Sequence, residues 1–185
     1  PSDDLRALGQ QGALDDPEAR VERARALLAT ESGRETLGRF FRDWLDYGRV
    51  GTKIRNDVPE FESVRDAMIE ETRQFIETVV LDEDGGVDEL LLADYTAVDA
   101  ALSQYYGFGE VQGDFDIVPR PESWGVGLLA QGSLLAAYAH VDASSPTQRG
   151  LLVYERLLCN ERPPVPADIP PIEPPSPGVS TTRER

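Results

Sequence analysis

The chain has one cysteine, one histidine, one lysine and one methionine among 185 residues. A lone Cys159 rules out an intrachain disulfide and any cysteine-built metal site. Its position at an apolar helix end reads as a small buried residue. The lone His140 has no nucleophile or further ligand nearby in sequence; "YAHVDASS" reads as a loop after a helix, leading to the next helix cap. Lys53 apart, the positive charge is all arginine. No run approaches the roughly 20 apolar residues of a membrane span. No G-x-S-x-G, P-loop or dinucleotide-binding fingerprint occurs.

The excess is acidic. Thirty-four Asp and Glu against 18 Lys and Arg give a net charge of −16. Such a surface repels nucleic-acid phosphates and anionic lipid headgroups, so neither is an expected partner. The densest acidic stretch, "LDEDGGVDE", fails as a calcium loop: counted from Asp82, Gly86 falls at position 5, Val87 at 6 and Ala93 at 12. It reads as an acidic turn between helices. No residue is assigned as catalytic, cofactor-binding or metal-binding.

The apolar spacing predicts an all-α fold, a compact bundle of five to six helices with a proline-rich extended tail. Asp16-Pro17 is an N-cap followed by proline at the first helical position. Ser32 with Glu35 predicts a capping box for a second helix carrying Leu37, Phe40, Phe41, Trp44 and Leu45, closed by Gly48. Phe61, Val64, Met68, Thr72, Phe75, Ile76 and Val79 mark a third, with Glu62, Glu70, Arg73 and Glu77 on its other face. Leu91, Tyr95, Val98, Leu102 and Tyr105 predict a fourth, ended by Gly107. Leu128, Leu129, Leu134, Leu135 and Tyr138 imply a short buried helix, and Ser145-Pro146 caps the last one. "DFDIV" alternates, but over too few residues to predict a sheet. From Pro163 to Pro177 eight prolines exclude helix and sheet and predict an extended spacer.

Three functional readings follow from these residues. Adjacent Glu70 and Glu71 point about 100° apart on a helix, a poor acid–base pair, but with Asp94 they leave open an enzyme domain acting on an extracellular polymer. Tyr95, Tyr105, Tyr106, Phe108 and Trp124 suit a sugar-binding face, although tyrosines at helical spacing are more often core. A protein-interaction module using aromatic and proline-rich surfaces is the third. Arg149, a cation near the start of a helix, is expected to be held by a bidentate ion pair or by carbonyls of another helix, with Gly150 admitting a close neighbour.

Taken in order, "LGRFFRDWLDYGRV", "VPEFESVRDAMIEETRQFI", "ELLLADYTAVDAALSQYYGF", "GLLAQGSLL", "SPTQRGLLVYERLLC" and "PPVPADIPPIEPP…TTRER" resemble uncharacterised tandem domains of large secreted planctomycete and myxobacterial proteins. The resemblance implies a helical domain over residues 1–120, the helical start of an adjoining domain over 121–162 packed on the first, and a linker over 163–185. In that family the proline stretch continues through a "TTRER"-like segment into a Cys-x-x-Cys-His motif, which attaches c-type haem covalently. Members often carry Arg-Gly before "GLL", where this chain has "SWGVGLL". The chain opens on Pro1 and is expected to be a piece of a longer protein. The resemblance implies an extracytoplasmic, non-catalytic scaffold or binding module that precedes a cytochrome-c-like module. The chain itself would hold no cofactor, and its partner would be that downstream haem domain.

Overall fold

A computed structural model describes residues 3–56, 58–162 and 164. Beyond Pro164 the expected proline spacer lies outside the described residues. Two N-terminal helices, α1 (Asp3–Gln10) and α2 (Pro17–Leu28), bury no residue. Helix α2 starts as the sequence predicts: Asp16 accepts the Glu18 N–H at 3.3 Å and Pro17 takes the first helical position. Helix α3 (Glu31–Leu45) starts earlier than predicted. Its cap is Thr30, whose hydroxyl accepts the Gly33 N–H at 3.1 Å, rather than Ser32. Gly33 explains the tight joint, because a Cβ there would lie 2.1 Å from the Leu27 carbonyl oxygen. At the other end the left-handed residue is Asp46, not Gly48 (φ 53°, ψ 29°), a conformation Asp tolerates better than most residues. Gly48 falls inside the 3-10 turn that follows, Tyr47–Thr52.

Helix α4 (Phe61–Glu77) is the centre of the fold. Phe61, Val64, Met68, Phe75 and Ile76 are buried along it, and the chain runs on through a wider π-turn, Thr78–Asp82. Around it pack Leu45, Tyr47, Val50, Val98, Leu102, Leu134 and Leu152, so one hydrophobic core joins most of the described elements.

The predicted fourth helix is instead three elements. Helix α5 (Val87–Leu92) ends where Ala93 turns extended (ψ 131°). Strand β1 (Tyr95–Val98) then pairs antiparallel with β2 (Asp116–Pro119), Thr96 opposite Val118. Asp99 caps helix α6 (Ala100–Tyr106) by accepting the Leu102 N–H at 2.7 Å, and Gly107 ends it at φ 75°. The fold is therefore mostly helical with a two-stranded sheet, and "DFDIV" supplies the second strand. Thr96, Ala97 and Val98 are all buried, so the strand shows no alternation, and its apolar residues happen to fall at helical intervals.

A 3-10 turn, Leu128–Ala130, leads into α7 (Gly132–Ala137), which lies against α4. Ser145 caps α8 (Pro146–Leu151) as the sequence predicts, and a π-turn, Leu152–Leu157, extends it. Trp44 Nε1 donates to the Arg156 carbonyl at 3.0 Å and ties this end to α3. Cys159 is exposed rather than buried: the chain has left the helix there and turned left-handed (φ 53°). Eight α-helices among the described residues replace the five or six expected. None of them is long and apolar enough to cross a membrane.

Candidate functional site

On α4, Glu71 shares the apolar stripe with Val64, Met68 and Phe75, at spacings of four, three and four residues. That register carries a carboxyl into the core, where it is fully buried. Thr96 Oγ1 donates to its Oε1 at 2.7 Å and Tyr106 Oη to its Oε2 at 2.8 Å. Thr96 Oγ1 also lies 3.1 Å from the Oε1 of fully buried Gln131. One hydroxyl proton cannot serve both acceptors. Turning the Gln131 amide, whose Nε2 is buried without a partner among the described residues, resolves the conflict: its N–H then donates to Thr96 Oγ1, while Thr96 and Tyr106 both donate to Glu71. Burial pushes the Glu71 carboxyl up to about 7, against the bonds from Thr96 and Tyr106, the Arg120 charge and the Gly132 N–H, all of which favour the anion. Burial outweighs these contacts, so the carboxyl holds its proton above the ordinary range.

Arg120 donates Nη2 to the Ala130 carbonyl at 2.6 Å, while its Nε and Nη1 are buried without a hydrogen-bond partner among the described groups. Gly132 has a specific reason to be glycine. A Cβ there would lie 1.9 Å from the Tyr106 hydroxyl and would block its path to Glu71. Burial and the Glu71 carboxyl raise the Tyr106 phenol well above its ordinary value.

Tyr106 links this interior to the surface. Its ring meets Trp124 edge-on with centroids 5.5 Å apart, Phe108 at 5.5 Å and Tyr105 at 5.6 Å, and Phe108 meets Trp124 at 5.2 Å. Four of the five aromatics singled out in the sequence thus converge. The fifth, Tyr95, packs on Phe75 and donates to Glu83 at 2.6 Å. Tyr105, Tyr106 and Trp124 line an open cleft of about 820 Å³ with Glu60, Ser63 and Gln104. Val58, Tyr105 and Tyr106 also line an adjoining cavity of about 300 Å³, which reaches Gly132, Arg55 and Arg149.

Arg149 does not meet its sequence-based expectation. Among the described residues no carboxylate or carbonyl pairs with its guanidinium, and the space beside Gly150 is open. Arg149 lines the adjoining cavity and also a second pocket beside Leu129, Leu134 and Val153.

The enzyme candidates do not converge. Glu70 pairs with Arg73 and Gln74. Burial alone would raise its carboxyl, but those bonds and the Arg73 charge hold it below the ordinary range. Arg73 also pairs with Glu77, next to Arg34, in a groove of about 870 Å³ between α3 and α4. Asp94 is exposed beside β1. The acidic turn spreads its carboxylates to separate partners, Asp82 to Arg34 at 2.6 Å and Glu83 to Tyr95. His140 is exposed, its N–H on the Ala143 carbonyl at 2.9 Å. No group of three or more metal-binding side chains forms among the described residues. Cys159, followed by Asn160 and Glu161, does not fit covalent haem attachment within this chain.

Sequence reasoning missed Glu71, Thr96, Arg120, Gln131 and Gly132 as one cluster. The available signal was a glutamate in the middle of an apolar stripe. No curated protein and no solved structure matches the chain. Residues 125–185 match a second family model, PSCyt3, a protein of unknown function (DUF1588). Residues 1–108, more than half of the chain, match the model PSD4, and the chain belongs to that family of proteins of unknown function, DUF1592.

Proposed function

We propose that the chain is a non-catalytic helical binding module of an extracytoplasmic protein whose continuation carries a cytochrome-c-like haem module. The observation that carries the reading is the aromatic cleft of Tyr105, Tyr106 and Trp124, braced from behind by the Tyr106–Glu71 bond. A concave surface with a few placed polar groups and a rigid backing is suited to binding. Glu70, Glu71 and Asp94 occupy an ion pair, an enclosed core and open surface respectively, which favours binding over acid–base catalysis. The name PSCyt3, matched over residues 125–185, favours a cytochrome association at this end of the chain. The test is expression of the gene with its natural continuation in a bacterial strain that matures c-type cytochromes. Haem absorbance should stay with the denatured protein. A continuation without Cys-x-x-Cys-His, or a product without covalent haem, overturns the haem-linked reading.

A further inference from the structure

We propose that the aromatic cleft and its adjoining cavity bind an anionic carbohydrate, with a pyranose ring on Trp124 and Tyr105 and its carboxylate or sulfate on Arg149. The inference deepens the binding-module reading and rests on it. Pyranoses present apolar C–H faces edged by hydroxyls that both donate and accept. The cleft offers the complement: aromatic walls, with Trp124 42 % exposed, and the polar side chains of Glu60, Ser63 and Gln104. Glu60 discriminates between occupants. A carboxylate needs donors, which sugar hydroxyls supply and a proline-rich peptide, lacking backbone N–H at each proline, largely does not.

Arg149 supplies the charge. In a chain of 34 acidic and 18 basic residues, half-buried Arg149 has no carboxylate partner among the described residues, and it lines the cavity next to Tyr105 and Tyr106. A planar cation so placed matches a carboxylate or a sulfate. Ligand hydroxyls at Glu60 and an anion at Arg149 use the wide cleft and the narrow cavity respectively, so one ligand spanning both keeps its charge in the cavity that holds the arginines.

The full chain carrying Trp44→Phe leaves Trp124 as its single indole, whose fluorescence then reports on the cleft. Titration with trigalacturonate, a sulfated galactotriose and neutral galactotriose separates carboxylate from sulfate from uncharged sugar. At least one anionic probe should give a saturable change at least about tenfold tighter than the neutral one, a difference of about 1.4 kcal/mol, and weaken with added salt. Arg149→Met should abolish that preference and leave neutral binding in place. In the parent chain, Trp124→Leu should weaken all three by at least about tenfold in calorimetry, with circular dichroism confirming an unchanged fold. Equal binding of charged and neutral probes, no saturation at millimolar concentration, or an anionic preference that survives Arg149→Met overturns the proposal. So does binding of a synthetic peptide of residues 163–175 without binding of the sugars. Covalent haem in the extended protein together with silent titrations would remove this inference alone.

Discussion

Helices α2 and α4 are specified in opposite ways. Helix α2 has the locally well-marked start, Asp16 then Pro17, and buries nothing. Helix α4 begins at Phe61, after Glu60, with no side-chain cap bond, yet buries eight residues, Glu71 and Thr72 among them. Capping satisfies orphan N–H groups and sets where a helix begins, at about 1 kcal/mol each. Burial of a stripe sets whether the rest of the molecule depends on the helix, at several times that per large side chain. A well-marked local start therefore belongs to one of the least consequential helices.

The comparison breaks most visibly at side chains of similar chemistry. Phe75 is fully buried at the centre of α4, and Phe75→Ala should cost about 3–5 kcal/mol. Leu27 on α2 is 43 % exposed, and Leu27→Ala should stay within about 0.5 kcal/mol. Urea unfolding of the two variants side by side checks the contrast. Equal losses would mean that α2 is covered in the folded protein and shares the core.

Glu71 sharpens it. Its carboxyl moves from an unfolded value of 4.5 to about 7 in the fold because burial penalises the charge. Between those values the unfolded chain has released the proton while the folded chain retains it. Stability therefore falls as pH rises through that window and levels off above about 7, a loss on the order of 3 kcal/mol at about 1.4 kcal/mol per unit. Glu71→Gln keeps an acceptor for Tyr106 but has no proton to lose. The difference in unfolding free energy between the two proteins should shift in favour of the variant from pH 5 to pH 8. A difference independent of pH would refute the protonated carboxyl.

What the sequence made legible follows the same division. Asp16, Ser145 and Gly107 act within a few residues of themselves, and all three do in the structure what their local chemistry predicts. Thr30 displaced Ser32 as the cap of α3 because Gly33 lets the α2–α3 joint close early, a packing effect that a capping-box pattern does not contain. The run from Leu91 to Tyr105 misled because β1 is buried throughout. Without alternation, tertiary burial of Thr96, Ala97 and Val98 decides strand against helix. The candidate site is readable by residue type, since Tyr105, Tyr106, Phe108 and Trp124 stand out, but not by partner. Arg120 and Gln131 lie 49 and 60 positions from Glu71 in the numbering, and only the folded chain brings their polar atoms to one place.

The smallest expected effect isolates the cap itself. The Asp16 carboxylate holds the Glu18 N–H, and Asp16→Ala removes that acceptor while Pro17 keeps the first-turn geometry. The cost should be about 1 kcal/mol of helix stability. Because no α2 side chain is buried, the helix can fray without opening the core, so the loss should appear locally and not globally. Native-state amide exchange should speed up several-fold across Arg20–Leu28, while amides of α4 keep their protection and the melting temperature stays within about 1 °C of the parent. A fall in melting temperature of several degrees, or faster exchange in α4, would show that the N-terminal helices belong to the same cooperative unit as Phe75 and Glu71. In that case the exposed faces of α2 would need a partner within the folded chain.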